Sequence, residues 1–337
     1  MDEAGPWPHP WWLPGGNAQT IWSALWAQPH GGVAPRWVRQ RWYTPDGDFI
    51  DVDQVIRAST PEPAPARPVL VVFHGLEGSS ASHYAQAFAV QAQARDWDMA
   101  VPHFRGCSGE INLAPRAYHS GDHAEIDWML GQFRERFPGR PLLAVGVSLG
   151  GNALMRWAQE AGQQAAHRVR ALAAVSAPLD LGAAGAAIDR GFNRWVYARM
   201  FLRTMLQKAE AKWRQYPGLF DLETVRRART LYAFDDAFTG PLHGFAGTED
   251  YWRRAAAKPR LAEVRLPALV LNARNDPFVP VSSLPRPDAV GPWVTLWQPV
   301  HGGHVGFCES RGSPGWPGHV LGMPGRVCDW LRDAAGV

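Results

Sequence analysis

Short apolar runs alternate with longer amphipathic stretches through the middle of the chain. Four runs are continuous enough to predict buried strands: residues 69–74, 99–104, 142–147 and 169–175. The stretches between them carry apolar residues at helical spacing and predict helices over residues 83–95, 121–137 and 152–160. Alternation of strands and helices at this spacing predicts a mostly parallel sheet with helices on both faces.

The pattern continues at both ends of this central region. Residues 37–55 contain two β-like runs around Pro45-Asp46-Gly47-Asp48, which predicts a hairpin at one edge of the sheet. Two later strands are predicted at 266–271 and 293–297, and a final helix near 326–334.

Three segments do not follow the alternation. Residues 182–258 are rich in aromatic and helix-forming residues and predict a helical lid, inserted into a core made of residues 1–181 and 259–337. Within that core, residues 1–35 are rich in Trp, Pro and Gly and predict an irregular arm packed over the sheet. The proline-rich residues 58–68 predict an extended connection.

Composition narrows the class of protein. The chain has 337 residues, 46% of them hydrophobic and 19% charged, which suits a globular protein with a sizeable core. A formal net charge of +3 is too small to indicate nucleic-acid binding, and no nucleic-acid motif is present. Three widely spaced cysteines predict neither a disulfide framework nor a metal cluster, so no metal or cofactor is expected.

The N-terminal residues and the hydropathy of the chain bear on location. Residues 1–6 are acidic and interrupted by proline, unlike the basic start of a signal peptide. We find no run of about 18 apolar residues that could span a bilayer. The sequence therefore predicts no transmembrane segment and a cytoplasmic location.

The residues Gly146-Val147-Ser148-Leu149-Gly150 form a G-x-S-x-G motif between a predicted strand and a predicted helix. This context is typical of a nucleophile elbow, a sharp turn that exposes a serine hydroxyl above a sheet. Because a serine hydroxyl is a weak nucleophile at neutral pH, it needs a histidine base and a carboxylate to orient that base.

Candidates for the base and the acid follow the serine in the chain. Asp276 comes after the predicted strand 266–271, and His304 comes after the next strand, among glycines. The order Ser, Asp, His matches that of α/β-hydrolases. Asp180 is an alternative acid, which could instead cap a helix. His301 is an alternative base.

Two backbone N–H groups are candidates for an oxyanion hole. One belongs to Leu149, directly after the serine, and the other to Leu76, in the His74-Gly75-Leu76-Glu77-Gly78 loop after the first central strand. That loop lacks the Gly-Lys-Ser/Thr of a P-loop. The i,i+4 histidines at 119 and 123 are a metal-site candidate, but such pairs are mostly structural.

Several segments together resemble one known family. They are residues 16–20, 74–79, 104–110, 118–122, 146–152 and 303–307. In these segments the chain resembles the YheT-like α/β-hydrolases, which are relatives of the animal lung α/β-hydrolases and yeast ethyl-ester synthases. The resemblance implies an α/β-hydrolase fold and a catalytic triad of Ser148, Asp276 and His304.

These features lead to one expected function and two alternatives. We expect a serine carboxylesterase that acts on small-molecule acyl esters through an acyl-enzyme. Transfer of the acyl group to an alcohol is an alternative, although the His-to-Asp spacing of five residues seen in some acyltransferases is not met, since Asp127 follows His123 by four. A non-catalytic binding protein on the same fold is the other.

Overall fold

The computed structural model describes residues 7–55, 67–310 and 317–337. The described strands form one eight-stranded sheet. They are β1 (Trp37–Tyr43), β2 (Phe49–Val55), β3 (Val69–Phe73), β4 (Asp98–Pro102), β5 (Leu142–Val147), β6 (Ala171–Val175), β7 (Ala268–Leu271) and β8 (Val294–Trp297). Their order across the sheet is β1-β2-β4-β3-β5-β6-β7-β8. β1 and β2 pair antiparallel, as do β2 and β4, and all other neighbours are parallel.

The described helices surround this sheet. They are α1 (Gly15–Leu25), α2 (His83–Ala94), α3 (His123–Arg136), α4 (Leu149–Ala161), α5 (Ala165–Arg168), α6 (Leu181–Ile188), α7 (Gly191–Asn193), α8 (Arg199–Gln215), α9 (Leu222–Arg227), α10 (Leu231–Phe234), α11 (Gly240–Leu242), α12 (Thr248–Ala255) and α13 (Gly322–Ala335). Two π-helical turns join neighbouring helices: Arg194–Ala198 links α7 to α8, and Asp235–Thr239 links α10 to α11. Short 3₁₀ turns occupy Gly162–Gln164, Lys258–Glu263, Val281–Ser283 and Pro287–Ala289.

The central strands are apolar on both faces because helices cover both faces. In β5, Leu142 and Ala144 face the core shared with α3 and α4, whereas Leu143 and Val145 face the core shared with α2 and α13. The sequence reflects this arrangement as continuous apolar runs rather than as alternation.

The structure confirms the predicted fold class, an α/β fold with helices on both faces of a mostly parallel sheet. Some boundaries differ. α4 begins at Leu149 rather than at 152, because the elbow turn leads directly into the helix. β6 begins at Ala171 rather than at 169, because α5 ends only at Arg168 and the next two residues connect it to the strand. The prediction of an irregular arm was wrong for α1, which packs on the loops beside the sheet.

Residues 58–66 of the proline-rich connection, and residues 1–6 of the arm, lie outside the described residues. Among the helices that the structure describes, none combines the length and the hydropathy needed to cross a bilayer.

Between β6 and β7, the described chain forms helices without any strand. This helical segment, residues 181–263, has its own apolar cluster, in which Phe220, Phe234 and Phe238 pack together. Lys212 joins it to the rest of the fold, since its Nζ donates to the carbonyl oxygens of Asn112 and Ala114 at 2.7 Å each. The segment follows the carboxyl end of β6, so it lies on the edge where parallel strands present their loops.

Residues 104–110 are part of a buried ion-pair network. The Arg105 guanidinium is almost fully buried and donates to Asp48 at 2.6 Å, to Asp46 at 2.9 Å and to Glu125. These contacts join the loop after β4 to the β1–β2 hairpin and to α3. A buried guanidinium stays charged and therefore needs such partners. Arg105 thus contributes to the fold by joining these three elements.

The packing of β5 against α4 predicts the effect of a single methyl group. A Cβ at Gly146 would lie 2.4 Å from the carbonyl oxygen of Gly150 and 2.6 Å from the Cα of Gly151, neither of which can move without shifting the helix. We expect Gly146→Ala to lower the free energy of unfolding by about 1–3 kcal/mol, measured by urea denaturation. In the matched control Gly182→Ala, the nearest atom is 3.8 Å away, and stability should be unchanged or higher. Equal losses in the two variants would contradict this packing argument.

Candidate active site

Ser148 lies in a strained turn between β5 and α4. Its backbone has φ +53° and ψ −121°, a conformation that a non-glycine residue rarely adopts. The turn is held in place because the Ser148 N–H donates to the carbonyl oxygen of Val175, at 2.8 Å. Gly150 is required on steric grounds, since a Cβ there would lie 2.5 Å from the carbonyl oxygen of His74. The close approach of these backbone segments therefore explains why the chain forms the predicted elbow with glycine at position 150.

The structure brings Ser148, His304 and Asp276 into one hydrogen-bonded chain. His304 Nε2 lies 2.9 Å from Ser148 Oγ, and His304 Nδ1 lies 2.9 Å from Asp276 Oδ2. The other Asp276 oxygen accepts from the N–H groups of Phe278 and Val279, at 2.8 and 3.2 Å. Because a carboxylate can only accept, Nδ1 carries a proton, and in the neutral ring Nε2 is left to accept from the serine hydroxyl.

The two alternative residues are not brought to Ser148. Asp180 caps α6 by accepting from the Ala183 N–H at 3.1 Å, and it pairs with Lys258 at 3.1 Å. The His301 ring stacks on that of His9, with their centroids 3.8 Å apart. In the part of the chain that the structure describes, no group of three or more His, Cys, Asp or Glu side chains is arranged to hold a metal ion.

The Leu76 loop lies directly against the serine. A Cβ at Gly75 would be 3.1 Å from Ser148 Cβ and 3.6 Å from Oγ. The N–H groups of Gly75 and Glu77 donate to the hydroxyls of Tyr84 and Tyr118, at 2.9 and 3.0 Å. By contrast, among the described residues no acceptor faces the N–H of Leu76, which lies between them.

Leu149 provides the second predicted donor. It is the first residue of α4, where backbone N–H groups have no partner within the helix. Among the described residues its N–H also has no other acceptor. Both predicted N–H groups are therefore available to a ligand, and both residues line a cavity next to Ser148.

Further side chains fix the shape of the Leu76 loop. Glu77 has φ +57°, and its carboxylate accepts from Tyr118 and from Lys208, at 2.8 Å each. The buried His74 ring lies under the same loop, where Nδ1 is 2.7 Å from the carbonyl oxygen of Gly75 and Nε2 accepts from the N–H of Phe104 at 3.0 Å. Since Nε2 accepts, the proton is on Nδ1 and the ring is neutral. Burial lowers the pKa of His74 to about 3, which agrees with this assignment.

The helix α1 contacts both catalytic-loop candidates, a role that the sequence did not predict. Thr20 Oγ1 accepts from the His304 N–H at 2.8 Å and donates to the carbonyl oxygen of Gly16 at 2.7 Å. Gln19 Oε1 accepts from the N–H of Gly302 and from the side chain of Asn275, at 2.9 Å each. The arm therefore holds both the loop that carries the histidine and the loop that carries the aspartate.

A signal for this role was present in the sequence. Residues 16–20 were among the segments that resemble the family, but nothing in their order indicates which loop they contact. A Cβ at Gly16 would lie 1.7 Å from the carbonyl oxygen of Asn275, so the helix touches the aspartate loop through backbone atoms. Only the tertiary structure reveals that approach.

Two cavities border Ser148. The larger has a volume of about 440 Å³ and also borders His304; Ile21, Tyr197, Met200 and Phe278 are among its mainly apolar walls. The smaller has a volume of about 100 Å³ and lies against the helical segment, where Leu181, Met205 and Trp252 line it. The hydroxyl of Ser148 is therefore accessible from apolar space that can hold a ligand.

The neutral His74 ring predicts a pH dependence of stability. Its pKa in the folded state lies below the ordinary value of 6.5, so between about pH 3 and 6.5 the folded chain binds fewer protons than the unfolded chain. The free energy of unfolding must therefore fall as the pH falls through this window, by up to about 1.4 kcal/mol per pH unit for this one group. Urea unfolding between about pH 7.5 and 5 measures this slope.

Two variants separate the His74 contribution from that of other histidines. His74→Gln removes the titrating ring and should give a shallower slope than the unmodified chain. His167→Gln alters an exposed histidine and should leave the slope unchanged. An unchanged slope in His74→Gln would show that the ring does not titrate as the burial argument requires.

Comparisons with known proteins agree with this architecture. A family model described as the alpha/beta hydrolase fold matches residues 68–310. The candidate esterase YheT of Escherichia coli (strain K12) is 40% identical over 302 residues, which cover 88% of this chain and 84% of that protein. The mouse phospholipase ABHD3 is 30% identical over 75% of this chain, which spans only 61% of the phospholipase.

Solved structures support the fold alone. A Pyrococcus furiosus esterase superposes with a TM-score of 0.53 at 14% identity, covering 90% of this chain and 92% of the esterase. At this identity the likeness carries no information about substrate. The sequence matches, by contrast, cover most of the chain, and they establish that it belongs to the α/β-hydrolase family, within the group that resembles YheT.

Proposed function

We propose that the chain is a serine carboxylesterase that cleaves acyl esters through an acyl-enzyme intermediate. The observation that carries the proposal is the pair of 2.9 Å hydrogen bonds linking Ser148, His304 and Asp276 beside an apolar cavity. The names of the two relatives, an esterase candidate and a phospholipase, are compatible with an acyl ester substrate.

The proposed reaction uses each group in turn. Ser148 Oγ attacks the ester carbonyl carbon while His304 Nε2 takes the hydroxyl proton. The N–H groups of Leu76 and Leu149 stabilise the negative charge on the carbonyl oxygen. The bond to the alcohol then breaks, and His304 returns the proton to the alcohol oxygen. His304 then takes a proton from water, and the water oxygen attacks the acyl carbon. The bond to Ser148 Oγ breaks, Oγ takes the proton back from His304, and the carboxylic acid leaves.

The two cavities suggest where the parts of the ester lie. The alcohol oxygen must be close to His304 Nε2 to receive its proton, and His304 borders the larger cavity but not the smaller one. We therefore assign the alcohol portion to the larger cavity and the acyl chain to the smaller one. In the smaller cavity, Phe201, Met205 and Leu231 come from the helical segment, which supports a role for that segment as a lid.

Replacing the serine is the direct test. We expect Ser148→Ala to lower the hydrolysis rate of nitrophenyl esters by about 10³-fold or more, because the nucleophile is lost. A fluorophosphonate probe should label the unmodified chain and fail to label this variant. Ser282→Ala changes an exposed serine and should leave both the rate and the labelling unchanged.

Each outcome of this experiment tests a different part of the proposed function. Full activity in Ser148→Ala would refute the assignment of the nucleophile. An unmodified chain that neither reacts with the probe nor hydrolyses any ester would favour a non-catalytic binding protein. Adding ethanol distinguishes acyl transfer from hydrolysis, since transfer gives an ethyl ester and hydrolysis gives the free acid.

The contact from α1 predicts a positioning effect on catalysis. Thr20→Val removes the acceptor for the His304 N–H, so the ring should be less well held against Ser148. We expect kcat to fall on the order of tenfold with little change in KM, as measured on a soluble nitrophenyl ester. Thr20→Ser keeps the hydroxyl and should restore most of the rate. Thr224→Val, far along the helical segment, serves as the control for the substitution itself.

The cytoplasmic location and the lack of nucleic-acid partners stay predictions of the sequence.

A further inference from the structure

Exposed apolar side chains gather at the opening of the larger cavity. On the continuous helix formed by α7, the first π-helical turn and α8, Phe192, Trp195 and Met200 are 52%, 72% and 54% exposed. At the end of α1, Leu25 and Trp26 are also exposed. We call these five residues the mouth patch.

The cavity itself places the two parts of the mouth patch together. Leu25 and Ala24 line it from α1, and Val196 and Met200 line it from the longer helix. Because Leu25 and Met200 are both exposed and both line the cavity, the cavity reaches the surface between these two helices. The mouth patch therefore surrounds the route to Ser148 rather than lying at an unrelated place on the surface.

The spacing of these residues corresponds to one face of a helix. Phe192, Trp195, Val196 and Met200 occupy positions i, i+3, i+4 and i+8, which is the spacing of one helical face. The opposite face is buried, because Tyr197 and Leu202 pack inward. Large apolar side chains that share one exposed face commonly mark a binding surface, since water solvates them poorly.

The charges on the first part of this helix, which lies next to the mouth patch, are of one sign. Residues 191–207 contain Arg194, Arg199 and Arg203 but neither Asp nor Glu. Arg199 and Arg203 are exposed, and neither forms an ion pair with a carboxylate in the described part of the chain. On α12, by contrast, both exposed arginines pair with Asp250. The apolar side chains of the mouth patch thus lie beside two exposed arginines that have no carboxylate partner among the described residues, Arg199 and Arg203.

We propose that the mouth patch docks onto the surface of an anionic phospholipid bilayer. Trp and Phe side chains partition into the interface between headgroups and acyl chains, while arginines contact the lipid phosphates. A second copy of the chain would place the same positive charges against each other, which disfavours that occupant. Neutral apolar partners would leave Arg199 and Arg203 without counter-charges.

Docking in this orientation bears on the substrate class. Given the proposed esterase function, on which this part rests, the opening of the cavity would face the bilayer. A single lipid ester could then move from the membrane into the apolar cavity without crossing water. The structure therefore points to membrane-resident acyl esters rather than to freely dissolved ones as the substrates.

Vesicle binding of the full chain tests the docking surface. Flotation with phosphatidylcholine vesicles that contain phosphatidylglycerol should recover the chain with the vesicles, and vesicles of phosphatidylcholine alone should recover much less. We expect Phe192→Ser/Trp195→Ser and Arg199→Gln/Arg203→Gln each to weaken binding to the anionic vesicles on the order of tenfold. None of these four residues lines the cavity.

Matched controls lie at the opposite edge of the sheet. Trp293 precedes β8, and Arg170 and Arg265 precede β6 and β7, so all three lie at the amino ends of parallel strands and are exposed. Trp293→Ser and Arg170→Gln/Arg265→Gln should bind vesicles as the unmodified chain does. Equal loss of binding in the control and patch variants would refute the assignment of the surface.

Further measurements separate this proposal from the proposed function. The patch variants should keep the unmodified rate on nitrophenyl acetate and lose rate only on esters presented in vesicles. No vesicle binding by the unmodified chain, or a dimer that the patch variants dissociate in size-exclusion chromatography, would overturn the docking proposal. Vesicle binding that persists in Ser148→Ala would uphold it even if the chain proved to have no esterase activity.

Discussion

The hydrogen bond between His304 Nδ1 and Asp276 determines what the rest of the site can do. It fixes the proton on Nδ1, so that Nε2 faces Ser148 Oγ as an acceptor at 2.9 Å. The backbone N–H groups that hold the second Asp276 oxygen keep the carboxylate in place. If this bond were lost, the strained turn at Ser148 would still expose a hydroxyl, but no base would be oriented to activate it.

Maintaining that bond requires elements from both ends of the chain. The aspartate and histidine loops follow β7 and β8, while α1 contacts both loops from the N-terminal arm. Thr20 holds the backbone of His304, and Gln19 bridges Gly302 to Asn275. The arm therefore belongs to the site, although its position in the sequence is more than 250 residues from the histidine. The same helix ends at the mouth patch, so one short element contributes to the geometry of the site and to the surface around it.

The helical segment contributes in two ways as well. Its inner side encloses the smaller cavity, and Lys208 and Lys212 attach it to the loops that follow β3 and β4. Its outer side carries the exposed aromatic face with unpaired arginines. The inner and outer faces of one helix thus connect the apolar space beside Ser148 with the surface of the molecule.

Local sequence patterns alone predict the fold class and the candidate triad. A parallel strand that helices cover on both faces is apolar throughout, so a continuous apolar run predicts such a strand. The positions of Ser148, Asp276 and His304 at strand ends predict that these three residues meet. The sequence also offers Asp180 as an alternative acid and His301 as an alternative base, and it contains nothing that excludes either residue. In the tertiary structure, Asp180 instead caps the start of α6, and the His301 ring stacks on that of His9. The role of α1 and the surface formed with Trp195 likewise depend on contacts between distant segments, which no local pattern of residues encodes.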